Sequence, residues 1–306
     1  MLNLEKQTAN YLEYCQYQKK LNLKTLKAYA IDLKQFIEFM NTTEGALNRS
    51  SLTNYITLLH KEYKPKSVKR KIASLKAFCS YMVYEEIVEE NPFVKIKVKF
   101  QEPFLLPKTI PINIIQLLLS SAYKFLKREG GSEYQHNTVL RDIAVLELLF
   151  ATGIRVSELC SLSDKDVDLT EGTVKIYGKG SKERIVQIGN PAVLAALKSY
   201  KSAFEDIIIH TDYFFINRLK SRLSEQSVRM MINKYVRMAD VKNHITPHMF
   251  RHSFATLLLE EDVDIRYIQK LLGHSSIVTT QIYTHVASSK QRDILTLKHP
   301  RNKIKI

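Results

Sequence analysis

Five polar residues near the C-terminal end of the chain combine acid–base groups with a fixed positive charge. His248 precedes Arg251 by three residues and His252 by four, so a helix would carry all three on one face. A Thr-Pro pair directly before them predicts where that helix begins. His274 follows the glycine that ends a second amphipathic segment, and Tyr283 comes nine residues later. The spacing therefore predicts that one helix face carries two histidines and an arginine, and that separate elements contribute a further histidine and a tyrosine.

Taken singly, each of these residues has an ordinary structural explanation. Histidines on half-apolar helices are mostly hydrogen-bonded structural residues, and Tyr283 is one of 16 tyrosines in the chain. A zinc protease motif would need glutamate directly after His248, where the chain has Met249. No metal site is predicted, and the functional interest lies in the combined pattern H-x-x-R-H, L-L-G-H and tyrosine.

Arg155 is a further candidate, in the segment A-T-G-I-R-V-S-E-L. A strongly apolar helix is predicted from Val139 to Thr152, and Arg155 opens the element that follows. Glu158, three residues on, can hold the guanidinium in an orientation that suits an anion. An ordinary surface salt bridge would have the same spacing, so the segment alone leaves both interpretations open.

Lys179 lies in the clearest β pattern of the chain. Apolar residues alternate on both sides of a Gly-Lys-Gly-Ser turn between residues 173 and 189, which predicts a hairpin with Lys179 at its tip. The turn lacks the G-x-x-x-x-G-K-[ST] pattern of a nucleotide-binding loop. A lysine in a solvated turn is the usual explanation of such a residue.

Together these segments resemble the catalytic signature of the tyrosine recombinases, the phage integrase family. The matched strings are T-G-x-R-x-S-E-L, G-K-G-S-K-E-R, H-x-x-R-H, L-L-G-H and the tyrosine, in that order. The resemblance implies an enzyme that attacks a DNA phosphodiester with tyrosine and rejoins strands without metal, ATP or another cofactor. The catalytic residues that it implies are Arg155, Lys179, His248, Arg251, His274 and the nucleophile Tyr283.

Each matched residue has a role that its chemistry suits. Arg155 and Arg251 stay charged and present paired donors, so they can stabilise the charge that grows on the phosphate oxygens, with His274 as a further donor. Tyr283 must lose a proton, for which we expect His248 to be the acceptor. The resemblance implies that Lys179 protonates the departing 5′ oxygen.

Composition agrees with a nucleic-acid partner. The 306 residues carry a formal net charge of +15, an excess that favours a polyanion such as double-stranded DNA, although basic chains are common. The three cysteines show no metal or disulfide spacing, which indicates a reducing compartment. No signal peptide or membrane-length apolar run is apparent, so we expect a cytoplasmic protein.

The chain is expected to be mainly α and to form two domains. Helical periodicity predicts an N-terminal bundle over residues 1–96, and three prolines mark a linker at residues 97–111. Residues 112–306 are predicted to form a mixed, mostly helical domain with a small β-hairpin or sheet. The resemblance implies that the first is a SAM-like core-binding domain and the second the catalytic domain. Residues 128–137 are expected to form a surface loop.

A basic run on the last helix of the N-terminal bundle predicts a DNA-contacting face. Such a run is usually a solvated face, but the net charge of the chain favours phosphate contacts here. The residues assigned to this face are Lys66, Lys69, Arg70, Lys71 and Lys76.

The resemblance extends over nearly the whole chain and is strongest to the compact Xer-type recombinases. That implies site-specific recombination through a Holliday junction in the resolution of chromosome or plasmid dimers. Three alternatives stay open. An integrase or excisionase of a phage, transposon or other mobile element would use the same chemistry, and a type IB topoisomerase would use the same tyrosine nucleophile. A non-catalytic DNA-binding protein would bind DNA without cleaving it. A homo- or hetero-tetramer on DNA is implied, with exchange of the C-terminal tail; participation of a second recombinase or a DNA translocase stays open.

Overall fold

The structure is a computed structural model that describes residues 3–43, 46–94, 96, 98, 106–128, 131–178, 183–274 and 276–283. The chain divides into two compact units, residues 1–104 and 105–306. Ile110, which the sequence assigns to the linker, is buried in the second unit, where its backbone N–H donates to Ser253 Oγ at 2.6 Å. The predicted domain boundaries otherwise stay a prediction, because most of residues 97–105 lie outside the described part of the chain.

The described part of the first unit contains four helices. Apolar residues at spacings of three and four give each helix one buried stripe, and Phe36, Leu52 and Phe78 lie at the centre of the core. Asn48 caps the third helix, and proline occupies the first position of the fourth. The helices are α1 (Leu4–Tyr17), α2 (Leu23–Thr43), α3 (Arg49–Glu62) and α4 (Pro65–Tyr84).

One prediction about α4 is wrong. Lys71 was assigned to the exposed basic face, but only 4% of it is accessible, and its ammonium contacts Asp32 Oδ1 at 3.1 Å in the core between α2 and α4. Arg70 and Ser74 bind the other carboxylate oxygen of Asp32. A buried lysine needs such a partner, because an unpaired charge would lose its hydration without compensation.

The second unit is mostly helical with one small sheet, which confirms the predicted fold class. Its sheet is antiparallel in the order β1-β2-β3, with Val174 paired to both Val167 and Val186. The predicted hairpin is β2 and β3, whereas the two-residue β1 was not predicted. The elements are α5 (Ile112–Leu126), α6 (Glu133–Thr152), α7 (Val156–Leu159), β1 (Val167–Asp168), β2 (Thr173–Tyr177), β3 (Glu183–Gln187), α8 (Pro191–Thr211), α9 (Glu225–Met238), α10 (Pro247–Glu260), α11 (Ile265–Leu272) and α12 (Val278–Gln281).

Helix α6 lies at the centre of this unit and packs against α5, α8 and α10. It begins six residues earlier than its apolar pattern predicts, because Ser132 and Gln135 form a reciprocal capping box. Residues 133–137 of the expected surface loop are therefore helical. Helix α6 ends at Thr152, three residues before Arg155.

In the described residues, no helix is both long enough and apolar enough to cross a membrane.

Candidate active site

Arg251 joins the two loops that carry the other candidate residues. It lies on α10 and is buried, with its Nη1 donating to the carbonyl of Gly153 at 2.8 Å and its Nη2 donating to the carbonyl of Leu272 at 2.6 Å. Burial, and then the charge of Arg155, lower the pKa of Arg251 to about 10, so the guanidinium stays charged at neutral pH. One buried cation thus fixes the end of α6 and the end of α11 to the same helix.

Gly153 is required by this arrangement. Its φ of 58° is left-handed, and a Cβ at this position would approach a ring carbon of Phe254 to 2.6 Å and a methyl of Leu272 to 3.0 Å. The glycine lets the chain turn from α6 toward Arg155 while its carbonyl faces Arg251.

Arg155 occupies the N-cap of α7, as its position after the glycine predicts. Its guanidinium donates to Glu158 at 2.7 Å, and its backbone N–H donates to the other carboxylate oxygen at 3.0 Å. About a third of the Arg155 side chain stays accessible (32%), in contrast to Glu158 at 6%. Glu158 therefore holds Arg155 from the protein side and leaves part of the guanidinium open to a ligand.

Arg184 of β3 is a site residue that the sequence interpretation missed. It donates to Glu158 Oε2 at 2.6 Å and to the carbonyl of Leu271 at 2.9 Å. Burial alone would raise the pKa of Glu158, but hydrogen bonds and charge from Arg184 and then Arg155 outweigh it and lower that pKa. The two-residue period of a strand could have indicated Arg184, because it places Arg184 on the same face as Val186. Val186 is buried, whereas Ile185 on the opposite face is 65% exposed.

His274 directly follows the end of α11, where Gly273 takes a left-handed φ of 64°. Its Nδ1 lies 2.9 Å from the hydroxyl of the buried Thr280, and its carbonyl accepts from Gln269 at 3.1 Å. Burial, and then Arg251 and Arg155, lower the pKa of His274 to about 4. The imidazole is therefore neutral at physiological pH and can donate from one ring nitrogen only.

Tyr283 is buried, with 1% of its surface accessible, among Ala255, Leu272 and neighbouring apolar residues. Its ring stacks on His274 with centroids 6.4 Å apart and an interplanar angle of 13°. Burial raises the pKa of the phenol, and the charges of Arg251 and Arg155 oppose that rise. The two arginines thus act on the hydroxyl that would become an anion.

This hydroxyl is hydrogen-bonded to His252, whose Nδ1 lies 3.1 Å from the Tyr283 oxygen. The residue expected to accept the tyrosine proton, His248, lies one turn earlier on α10 and is exposed. Partial burial, and then Arg251, lower the pKa of His248. The H-x-x-R-H spacing included both histidines, but it did not indicate which one meets the tyrosine.

A cleft of about 740 Å³ opens beside Arg155 and His274, and its described lining contains four cationic side chains and one carboxylate, Glu183. Arg155 and His274 lie on its wall together with Arg184, and the exposed Arg266 and Lys270 extend the wall along one face of α11. The cleft can accept a phosphate and its neighbours along a nucleic-acid strand.

Five of the six predicted catalytic residues come together, drawn from α7, α10 and the segment that follows α11. Lys179 lies outside the described residues, as do residues 284–306, which include the tail predicted to be exchanged. On α4, Lys66, Lys69, Arg70 and Lys76 are exposed, as a DNA-contacting face requires, and their contact with DNA stays a prediction.

Comparison with known proteins identifies the family. Residues 124–290 match the phage integrase family, and residues 9–86 match the phage integrase N-terminal SAM-like domain. A tyrosine recombinase of Agathobacter rectalis is 55% identical over 302 residues, which cover 98% of both chains. Tyrosine recombinase XerC of Thermodesulfovibrio yellowstonii is 36% identical over 311 residues, with 99% of each chain covered.

A solved structure shows the same fold. The site-specific recombinase XerH, crystallised with its palindromic difH substrate as a post-cleavage complex, superposes with a TM-score of 0.75 at 23% identity, covering 95% of this chain and 84% of XerH. The match in both parts of the chain, at full length and with the catalytic motifs in order, shows that this protein belongs to the phage integrase family of tyrosine recombinases, the enzymes that cleave and rejoin DNA strands.

Proposed function

We propose that this recombinase acts at a specific DNA site, with Tyr283 as the nucleophile. The phenolic oxygen attacks the scissile phosphorus and displaces the 5′ oxygen, which gives a 3′-phosphotyrosine and a free 5′-hydroxyl. The observation that carries the proposal is the pair of hydrogen bonds from Arg251, which hold the loops of Arg155 and His274 around Tyr283. Because the covalent bond keeps the phosphoester energy, a hydroxyl from another strand reverses the step and builds a Holliday junction.

We infer that the charge that develops on the phosphate is opposed by side chains of the candidate site. Arg155 and Arg251 supply fixed positive charge, and His274 donates from Nε2 when Thr280 donates to its Nδ1. Losing one such donor is expected to slow cleavage by roughly a hundredfold to a thousandfold. Lys179 is proposed to protonate the departing 5′ oxygen, and a histidine of α10 to accept the proton of Tyr283.

The two basic surfaces suit different parts of the duplex. The cleft lined by Arg155 and His274, with Arg266 and Lys270, would hold phosphates that flank the scissile one. The exposed cations of α4, including Lys66 and Lys69, would hold backbone phosphates through the N-terminal unit.

The biological role that we propose is the resolution of chromosome or plasmid dimers in the cytoplasm, by a tetramer assembled on two DNA sites. The full-length similarity to a XerC protein supports it. The tetramer would contain four copies of this chain, or two copies with two of a related recombinase, joined through C-terminal tails. An integrase of a mobile element is the second candidate, because it would use the same chemistry.

The first experiment incubates the protein with genomic DNA of its source, traps covalent complexes with detergent and sequences the attached DNA. Adducts at one chromosomal locus are expected for dimer resolution, and adducts at element ends would indicate an integrase. Adducts spread without site preference, with relaxation of any supercoiled plasmid, would indicate a topoisomerase.

Tyr283→Phe and Tyr267→Phe form a matched pair for this experiment. Tyr267 is an exposed tyrosine on α11, so its variant controls for loss of any hydroxyl in this region. Tyr283→Phe is expected to bind DNA normally and to form no adduct, whereas Tyr267→Phe keeps the wild-type yield. Adducts that survive Tyr283→Phe would refute the nucleophile, and wild-type protein without adducts on any DNA would indicate a non-catalytic DNA-binding protein.

A further inference from the structure

We propose that His252 is a catalytic residue of strand cleavage, and that its Nδ1 accepts the proton of the Tyr283 hydroxyl. The inference rests on the proposed function, because it requires Tyr283 to be the nucleophile. Its basis is the 3.1 Å separation of Nδ1 from the phenolic oxygen, a hydrogen-bond distance between the two atoms that would exchange the proton.

Packed elements on both sides fix this distance. His252 follows Arg251 directly on α10, so the two carbonyl contacts of Arg251 also anchor the backbone that carries His252. Tyr283 is buried against Ala255 and Leu272, and its ring is tilted by 54° to that of His252 with centroids 5.6 Å apart. The pair is therefore preorganised before DNA binds.

The ionisation states of the two groups suit proton transfer in this direction. Burial, and then the charges of His248 and Arg251, lower the pKa of His252 to about 4, so the imidazole is neutral at pH 7 and has one free nitrogen lone pair. Burial also raises the pKa of Tyr283, so the phenol stays protonated until an acceptor takes the proton. With the proton of His252 on Nε2, Nδ1 is the acceptor.

Bound DNA would strengthen His252 as a base. The groups that face it are His248 and Arg251 on its own helix, and His274 and Tyr283 from the segment after α11. In the free protein the cation among them disfavours an imidazolium. A phosphate bound at Arg155 and His274, which line the cleft, adds negative charge to the site; this charge partly offsets that of Arg251 and favours protonation of His252 during attack.

The proton balance closes over one cleavage step. The Tyr283 O–H bond breaks as its oxygen bonds to phosphorus, and the proton moves to Nδ1 of His252. The bond from phosphorus to the 5′ oxygen breaks, and that oxygen takes a proton from a separate donor, for which Lys179 is proposed. In rejoining, the incoming 5′-hydroxyl gives its proton to the donor that lost one in cleavage as its oxygen bonds to phosphorus, and the His252 imidazolium returns its proton to the leaving phenolate, so no external acid or base is consumed.

His248 fills a different place in this scheme. It is exposed one turn before His252 on α10, so it is open to the substrate while His252 faces the nucleophile. The two histidines thus allow a direct comparison within one helix.

The test measures single-turnover adduct formation from pH 5 to pH 10, on a nicked duplex that carries the sequence at which the wild-type protein forms its adduct. His252→Gln keeps a hydrogen-bond acceptor for the phenol but cannot take its proton. We expect its rate at pH 7 to fall by about a hundredfold to ten-thousandfold. We also expect its rate to rise roughly tenfold per pH unit, because hydroxide must then ionise the phenol. The wild-type rate should instead stay level from pH 6 to pH 9.

His248→Gln is the matched variant, with the same change one turn away. We expect a slower reaction with the level pH profile of the wild type. A His252→Gln rate within threefold of wild type, or a steep pH profile that appears in His248→Gln instead, would overturn the assignment. If His252→Gln does not fold, as judged by circular dichroism, His252→Asn gives the same comparison.

A duplex with sulfur in place of the scissile 5′ oxygen distinguishes a residue that accepts the proton of Tyr283 from one that protonates the leaving group. Thiolate leaves without protonation, so this substrate should leave the defect of His252→Gln unchanged. Rescue of His252→Gln by the sulfur substrate would assign the residue to the leaving group and refute the proposal. Failure of the proposed function looks different, because the wild-type protein would then form no Tyr283 adduct at all.

Discussion

Glu158 offers a direct test of how the site is held together. Its carboxylate is 6% exposed and accepts hydrogen bonds from Arg155 at 2.7 Å and from Arg184 at 2.6 Å. Glu158→Gln keeps the shape but removes the charge, so two guanidinium groups lose their counter-ion in a mostly buried setting. Removing one partner of a buried ion pair costs about 3–5 kcal/mol, and we expect about 3 kcal/mol here because the 32% exposure of Arg155 leaves it partly hydrated.

The assay is thermal unfolding, followed by circular dichroism, with Glu183→Gln as the control. Glu183 pairs with Lys175 at 2.8 Å, but both side chains are 40–50% exposed, so this change should cost less than about 1 kcal/mol. For a unit of this size, about 3 kcal/mol corresponds to a fall of roughly 6–12 °C in Tm for Glu158→Gln. Equal Tm values for the two variants would refute the idea that burial makes the Glu158 cluster strong.

The pH dependence gives a second readout of the same cluster. The pKa of Glu158 is lowered in the folded protein, so its contribution to stability is present above the unfolded pKa, about 4.3, and is lost as pH falls through the lower native value. The Tm difference between wild type and Glu158→Gln should therefore be constant from pH 7 to pH 5 and shrink below pH 4. Adduct formation by the variant should also fall, by up to about a hundredfold, because Arg155 loses its orientation.

Three further predictions concern other contacts. Lys71→Met should lower the free energy of unfolding by about 1.5–3 kcal/mol, because the buried Asp32 loses one charged partner and keeps Arg70 and Ser74. Lys66→Met on the exposed face should change Tm little and weaken DNA binding, and equal Tm values for the two variants would contradict the assignment of Lys71 to the core. Gly153→Ala should lower the free energy of unfolding, measured by chemical denaturation, by at least about 1–3 kcal/mol. The φ of 58° is strained for any residue with a side chain, and a Cβ would lie 2.6 Å from a ring carbon of Phe254. An unchanged free energy of unfolding would mean that the loop can move. If Arg266 contacts one phosphate, Arg266→Gln should reduce the slope of the logarithm of the DNA-binding constant against the logarithm of the salt concentration by about 1. An unchanged slope would exclude that contact.

Several parts of this protein follow from the sequence alone. The spacing of His248 and Arg251 is enough to place them on one helix, because helical geometry repeats every 3.6 residues. The alternation around Lys179 is enough to predict β2 and β3, and the glycine before Arg155 marks the end of α6. The order of these motifs indicated the family, which the comparisons confirm.

The burial of Lys71 agrees with its position in the apolar pattern of α4. Lys71 lies three residues after Val68 and four before Leu75, so it shares the buried stripe of α4. A charge on that stripe can be buried only if another element supplies a partner, and Asp32 on α2 is 39 residues away. The run of lysines and arginine therefore indicated that α4 is basic, but it did not distinguish the exposed residues from the buried Lys71.

The active site was decided by tertiary packing. Local periodicity states which residues share a face, but it carries no information about which face meets another element. His252 meets Tyr283 across 31 residues, Arg184 meets Glu158 across 26, and Arg251 reaches Gly153 across 98. Each contact depends on how α6, α10, α11 and β3 pack, so the sequence supplied the chemical groups and the tertiary structure decided which of them touch.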